Sequence, residues 1–149
     1  MKNLFKKVSA IMMAAIMVLA MASTAFADGP TATITVNNAD NATLTYAQVI
    51  RADQTTRTGW AFVNDDVKNA YIEAYGVADD DAQAAIEKLI ANTDAEKLGK
   101  AQALAAGKVS FVEMSNPQTV SEAGVYLVKA TEVGYTYNIT VSYTHLRAH

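Results

Sequence analysis

The stretch TLTYAQVI at residues 43–50 alternates between two kinds of side chain. A period of two is typical of a β-strand, whose successive side chains point to opposite faces. One predicted face carries Leu44, Tyr46 and Ile50, and the other carries Ala47 and Val49. The stretch therefore predicts a strand with two apolar faces of unequal size.

Further strands are predicted on either side of this stretch. TATITVNN at residues 31–38 also alternates, and the turn formers of NNADNAT at 37–43 join it to the first stretch as an antiparallel hairpin. KVSFVEM at 108–114 predicts a third strand. VYLVKATE at 125–132 and YTYNITV at 135–141 predict a second hairpin around Val133-Gly134, after a turn-rich link at 116–124.

Helices are predicted between these two groups of strands. In DDVKNAYIEAYG at 65–76, Asn64 suits the N-cap and Gly76 the C-cap, around a stripe of apolar residues at helical spacing. ADDDAQAAIEKLIAN at 78–92 predicts a second helix. Thr93 and Glu96 have capping-box spacing for a third, which Gly107 ends. Its inner face of small residues, Leu98, Ala101 and Ala105, predicts loose packing at the rim.

This order of elements has no regular alternation of strand and helix, which argues against a parallel sheet. It predicts an α+β fold, an antiparallel β-sandwich-like domain with a helical insertion of two to three helices. A signal-peptide helix is expected ahead of it.

The N-terminus has the features of a secretory signal peptide. Lysines in MKNLFKK precede a long apolar run that closes on Ala25-Phe26-Ala27, an A-x-A cleavage pattern. Cleavage is expected between Ala27 and Asp28. The apolar run is long enough for an uncleaved anchor, but the small residues before Asp28 favour cleavage. The expected divisions are therefore a signal peptide at 1–27 and a domain at 28–140.

Charge and cysteine content limit the partners of the domain. Residues 1–27 hold three lysines and no acidic residue, so their removal takes the formal net charge from −3 to −6. An acidic chain argues against nucleic acid and anionic lipid as partners. Membrane contact is expected only through the signal peptide before cleavage. The chain has no cysteine, so no disulfide supports the fold.

The sequence has few patterns that are typical of catalytic or metal-binding sites. The sequence contains no P-loop, Rossmann, HExxH, GxSxG or CxxC motif. The run Asp79-Asp80-Asp81 suggests calcium, but consecutive carboxylates diverge, and their place at a helix start favours a match to the helix dipole. The prediction is therefore a protein that is not an enzyme, with no metal site, no cofactor and no catalytic residues.

Two alternatives stay open at this point. A carbohydrate-binding module would need exposed aromatic residues in a row, for which Trp60, Tyr135 and Tyr137 are the candidates, although a lone Trp is more often part of a core. A secreted enzyme would need a carboxylate mechanism, with two acidic groups facing each other across a cleft.

Both histidines, His145 and His149, lie in the final stretch VSYTHLRAH at 141–149. This stretch is similar to a translated sequencing-adaptor tail of the kind found at the ends of predicted genes. Residues 141–149 are therefore expected to be an artefactual or truncated tail, which removes the histidines as candidates for a site.

Several stretches resemble the N-terminal domain of isopeptide-forming fimbrial (pilin) subunits of Gram-positive gut bacteria. They are TYAQVI, TGWAFVND and AGVYLVKATE, and the resemblance covers most of residues 31–138. It implies a secreted structural protein at the cell surface or cell wall that acts in adhesion. The implied partners are other pilin subunits, joined by sortase-type assembly, and a host or glycan ligand.

The resemblance also implies an internal isopeptide bond between a lysine and an asparagine, assisted by a buried acid. Burial drives a lysine toward its neutral, nucleophilic form and keeps a carboxylic acid protonated. The candidates are Lys108 and Lys129 as nucleophile, Glu113 as acid and Asn138 as electrophile. The family places its lysine on the first strand, and TATITV has none, so this sequence departs from that arrangement.

Overall fold

A computed structural model describes residues 10–16, 32–37, 39, 42–78, 81–130 and 138–143 of the 149-residue chain. These residues form eight strands and three helices. The strands are β1 Ala10–Ile16, β2 Ala32–Asn37, β3 Leu44–Ala52, β4 Trp60–Phe62, β5 Val112–Glu113, β6 Gln118–Val120, β7 Gly124–Ala130 and β8 Asn138–Tyr143. The helices are α1 Asp65–Tyr75, α2 Ala82–Ala91 and α3 Ala95–Ala106. The predicted α+β class and the insertion of three helices are confirmed.

The strands make two antiparallel sheets. In the larger sheet the order is β1-β7-β3-β4, and β5 pairs with β3 beside β4. The smaller sheet has the order β6-β2-β8. All the described pairs are antiparallel, as the sequence predicts.

Strand β7 separates two hydrophobic cores. Val125 and Leu127 pack into a core with the three helices, β3 and β4. Tyr126, Val128 and Ala130 point the other way, into a core with β2 of the smaller sheet. The domain therefore has three layers, helices on one face of the larger sheet and the smaller sheet on the other. The two sheets form a sandwich-like arrangement around the second core.

A β-bulge in β3 changes which residues share a face. Gln48 pairs with Tyr126, but Ile50 pairs with Val125, so Val49 is the extra residue. As a result Val49 and Ile50 both lie in the helix-side core, while Leu44 lies in the core between the sheets. The prediction that Ile50 shares a face with Leu44 is therefore wrong, because a bulge shifts the alternation by one residue.

Both predicted hairpins are wrong. β2 lies in the smaller sheet and pairs with β6 and β8, whereas β3 lies in the larger sheet. β7 and β8 are likewise divided between the two sheets. Alternation identifies a strand but not its neighbour, and in both predicted hairpins the two strands belong to different sheets.

The link predicted at 116–124 contains strand β6. Just before that strand, the Asn116 side chain continues the pairing with β2: its Oδ1 accepts from the Val36 N–H at 2.9 Å and its Nδ2 donates to the Val36 carbonyl at 2.9 Å. A side-chain amide can make the two hydrogen bonds that the backbone of a strand residue would make. The turn-rich composition of the link therefore gave no indication of this short strand or of the pairing that Asn116 adds to it.

The expected signal-peptide helix is wrong for residues 10–16. They form β1, which pairs with β7 over seven residues, from Ala10 opposite Ala130 to Ile16 opposite Gly124. A short apolar run fits a strand or a helix equally well by periodicity, and the unpaired edge of β7 offers hydrogen bonds to an extended chain. The other residues of the predicted signal peptide lie outside those described.

The helix ends follow local capping rules. Asn64 Oδ1 accepts from the Val67 N–H, and Gly76 ends α1 in a left-handed conformation with φ of 67°, as predicted. For α3 the N-cap is Asp94 and not Thr93. Ala101 and Ala105 of α3 are fully buried, so the predicted loose packing is also wrong. Small side chains let α3 approach its neighbours closely.

The loop before β4 is fixed to α2 by one glutamine. Gln83 Oε1 accepts from the Thr58 N–H at 2.9 Å and from the Thr58 hydroxyl at 2.6 Å, and Gln83 Nε2 donates to the Trp60 carbonyl at 3.0 Å. The loop between β3 and β4 is therefore ordered by hydrogen bonds, which hold β4 against the helices.

We expect Gln83→Ala to lower the free energy of unfolding by about 2 kcal/mol, because three partly buried hydrogen bonds are lost. Glu87→Ala, one turn further along α2, is the matched control. It removes only an exposed contact with Arg57 at 3.4 Å and should cost less than about 0.5 kcal/mol. Urea unfolding of both variants checks this, and equal losses in the two would contradict it.

Among the described residues, no helix is both long and apolar enough to cross a bilayer.

Candidate functional site

Lys129 and Glu113, two of the isopeptide candidates, lie in one row of the larger sheet. Thr45 of β3 is opposite Lys129 of β7 on one side and opposite Glu113 of β5 on the other. Directly opposed residues share a face, so Lys129 and Glu113 are separated by one strand. The Lys129 ammonium lies 4.4 Å from the centroid of the Phe111 ring, a cation–π distance.

The other two candidates lie elsewhere. Lys108 follows the end of α3 and is exposed, and its backbone N–H donates to the Ala105 carbonyl at 2.8 Å. Asn138 begins β8, where it is opposite Asn37 in the smaller sheet. The structure thus brings Lys129 and Glu113 to one sheet and places Asn138 in the other.

Bond formation would require the Lys129 Nζ to attack the Asn138 Cγ, with a protonated acid beside them and the side-chain nitrogen leaving as ammonia. Glu113 is exposed, so it does not match the buried acid that the resemblance implies. Lys129 is half-buried against an aromatic ring. The isopeptide bond stays a prediction, and a measurement of intact mass tests it. Formation of the bond lowers the mass of the protein by one ammonia. The Lys129→Arg variant cannot form this bond, so its mass should equal the value calculated from its sequence.

An open cleft of about 350 Å³ lies on the face of the larger sheet that carries Tyr46 and Tyr126. Those two rings pack with their centroids 6.0 Å apart. Most of the other lining residues are polar: Gln48, Ser110, Thr119, Ser121 and Glu122. Hydroxyl, amide and carboxylate groups around an aromatic pair can bind a small polar molecule, so this cleft is a candidate binding site.

Tyr126 lines this cleft, and a hydrogen bond fixes its hydroxyl. Its hydroxyl donates to the Glu122 carbonyl at 2.7 Å. Burial raises the pKa of Tyr126 above its usual value, and the nearby Glu122 carboxylate raises it further. The hydroxyl therefore stays protonated above the pH at which an exposed tyrosine ionises.

The sequence did not reveal this cleft. Its lining comes from β3, β5, β6, β7 and the segments next to β5 and β6, with residues far apart along the chain. In the sequence Tyr46 is recognisable only as part of an alternating strand pattern. That pattern does not distinguish a residue that lines a cleft from one that lies in the core.

Tyr71 contrasts with Tyr126. Its ring is fully buried in the helix-side core, and it packs on Phe62 with centroids 5.2 Å apart. Among the buried side-chain polar atoms of the described residues, the hydroxyls of Tyr71 and Tyr75 have no hydrogen-bond partner. A buried hydroxyl without a partner costs free energy.

We expect opposite effects from removing these hydroxyls. Tyr71→Phe should raise the free energy of unfolding by about 1 kcal/mol, because an unpaired buried hydroxyl is removed. Tyr126→Phe should lower it by about 1 kcal/mol, because the hydrogen bond to Glu122 is lost. Parallel urea titrations measure both, and a loss of stability in Tyr71→Phe would show that its hydroxyl is hydrogen bonded.

Trp60 does not form a sugar-stacking surface. It is 4% exposed and lies in the helix-side core beside Phe62. This agrees with the core interpretation of a lone tryptophan. Tyr135 and Tyr137, the other aromatic residues considered for a carbohydrate-binding row, lie outside the described residues.

Asp81, the last residue of the run Asp79-Asp80-Asp81, is a helix N-cap. The Asp81 side chain accepts from the Ala84 N–H at 3.0 Å and caps α2, and one of its oxygens is 3.8 Å from Arg57. Asp79 and Asp80 lie outside the described residues, as do Ala25, Ala27 and Asp28 of the expected cleavage site. Within the described ranges, no group of three or more acidic or histidine side chains is placed to hold a metal ion.

Comparison with known proteins found no matching family model, no matching curated protein and no matching solved structure.

Proposed function

We propose that this chain contains the exported N-terminal domain of a structural subunit of a cell-surface fimbria that acts in adhesion. The observation that carries the proposal is the two-sheet, cysteine-free body built on β7, whose two faces are buried in separate cores. Such a body is stabilised by packing and hydrogen bonds without disulfides, which suits a domain that serves as a rigid part of an assembly.

Two features of the sequence support export to the surface. A basic start, an apolar run and Ala25-Phe26-Ala27 form the pattern of a cleaved leader. The resemblance of TYAQVI, TGWAFVND and AGVYLVKATE to fimbrial subunits then supports sortase-type assembly with other subunits. A host or glycan ligand could bind the cleft beside Tyr46 and Tyr126.

Export is tested in a bacterium that carries the gene. We expect the surface protein to begin at Asp28, to be labelled by antibody on intact cells and to stay with the cell wall. Ala27→Arg should block processing and leave the protein with the membrane. Unprocessed protein found in the cytosol of wild-type cells would overturn the proposal.

A further inference from the structure

The two edges of β7 have different partners. β3 covers one edge from Ala130 to Gly124, with the bulge between Gln48 and Ile50. β1 covers the other edge over seven consecutive residues. β1 belongs to the expected leader, so cleavage at Asp28 would remove it and leave the backbone of β7 unpaired on that side.

The position of β1 is enclosed on two sides. Cα atoms of β1 come within 8 Å of Cα atoms in α3 and in β8. The helices pack on one face of β7, and the smaller sheet, which contains β8, packs on the other. The place between these layers holds a single strand, β1.

The chemistry of this position is apolar. β1 has the sequence AIMMAAI, without a charged or hydrogen-bonding side chain. The strand it pairs with, GVYLVKA, is buried except at Lys129, which lies opposite Ile11. An extended segment with small and medium-sized apolar side chains therefore matches the position.

We propose that the edge of β7 between α3 and β8 is an acceptor for one extended apolar segment from another polypeptide chain, a neighbouring subunit of the assembly. In the full chain residues 10–16 occupy this position, which shows the kind of segment that fits it. Main-chain hydrogen bonds to an unpaired edge provide affinity, and the alternate side chains provide selectivity. The inference rests on the proposed function in requiring leader removal and a neighbouring subunit.

The experiment begins with the full chain, folded with a specific protease site placed directly after Ala27 and then cut. We expect the released leader fragment to co-elute with the domain, because it keeps its pairing with β7. An excess of labelled synthetic peptide that carries residues 10–16 between lysine-rich ends should then replace the fragment. Bound peptide should slow hydrogen exchange of amides in residues 124–130.

A peptide with Met13→Pro is the matched control. Proline lacks the N–H and does not fit a paired strand, so this peptide should bind at least about ten times more weakly. Immediate loss of the leader fragment without uptake of labelled peptide would overturn the proposal. So would equal binding of both peptides, or a dimer of the cut domain that excess peptide does not dissociate.

These outcomes are separate from the test of export. Peptide replacement is measured on purified protein, so it can succeed even if the chain proves not to be a surface subunit. Conversely, correct export with no peptide binding would leave the fimbrial proposal standing and remove only the acceptor edge.

Discussion

Gly124→Ala should lower the free energy of unfolding by about 3 kcal/mol, the upper end of the usual cost of overpacking. A Cβ at this position would overlap the backbone carbonyl oxygen of Ile50 and lie 2.7 Å from Nε2 of Gln48. Ile50 and Gln48 flank the bulge of β3, so the clash falls where β7 meets its central neighbour. Chemical denaturation of the purified variant measures the loss.

Gly99→Ala is the matched control for this substitution. Gly99 is exposed in α3, and nothing lies within 4 Å of an added Cβ. Alanine is a better helix former than glycine, so this variant should gain up to about 1 kcal/mol. A Gly124→Ala protein as stable as the wild type would show that β7 does not approach β3 as closely as the structure has it.

Alkaline conditions should unfold the domain steeply above about pH 10. Burial raises the pKa of both Tyr71 and Tyr126 above the ordinary tyrosine value of 10.0. Above that value the unfolded chain releases both protons while the folded chain keeps them. The free energy of unfolding is therefore unaffected by these groups below pH 10 and falls by about 3 kcal/mol per pH unit above it, from two protons at about 1.4 each.

Urea unfolding at a series of pH values measures this slope directly. Tyr71→Phe should reduce it by about 1.4 kcal/mol per pH unit, because one retained proton is removed. Phenylalanine fits the same apolar space, so the comparison isolates ionisation from packing. A free energy of unfolding that stays constant through this range would contradict the burial of these two rings.

The helices could be predicted well because their signals are local. Asn64 and Gly76 act on groups within the first and last turns of α1, so the residues themselves determine the ends. Asp94 replaced Thr93 as the cap of α3 because both residue types can cap, and the sequence alone gives no reason to prefer one of two neighbours.

The pairing of strands could not be predicted in the same way. The strand at TLTYAQVI was correctly identified, but its partners in the structure, β4, β5 and β7, are set by packing between layers. The bulge at Val49 could not be predicted from the alternation of side chains in the sequence. The residues of β1 matched a leader by composition, which does not reveal an extended chain that pairs with a strand more than 100 residues away.

For the candidate sites, too, local features could be predicted from the sequence and the spatial arrangement could not. Lys129 and Glu113 were selected as strand residues, and both lie on strands of one sheet. Their separation by Thr45, and the place of Asn138 in the other sheet, depend on topology. The cleft beside Tyr46 and Tyr126 depends on topology entirely, because it is assembled from four strands and the segments next to them.

The assembly state of the protein on cells tests the fimbrial role most directly. Cell-wall digests from a bacterium that carries the gene are boiled in detergent, separated by size and probed with antibody to residues 28–140. We predict a ladder of covalent species spaced by one subunit mass, which disappears when the sortase gene is deleted. A single band of subunit mass in both strains would contradict the account.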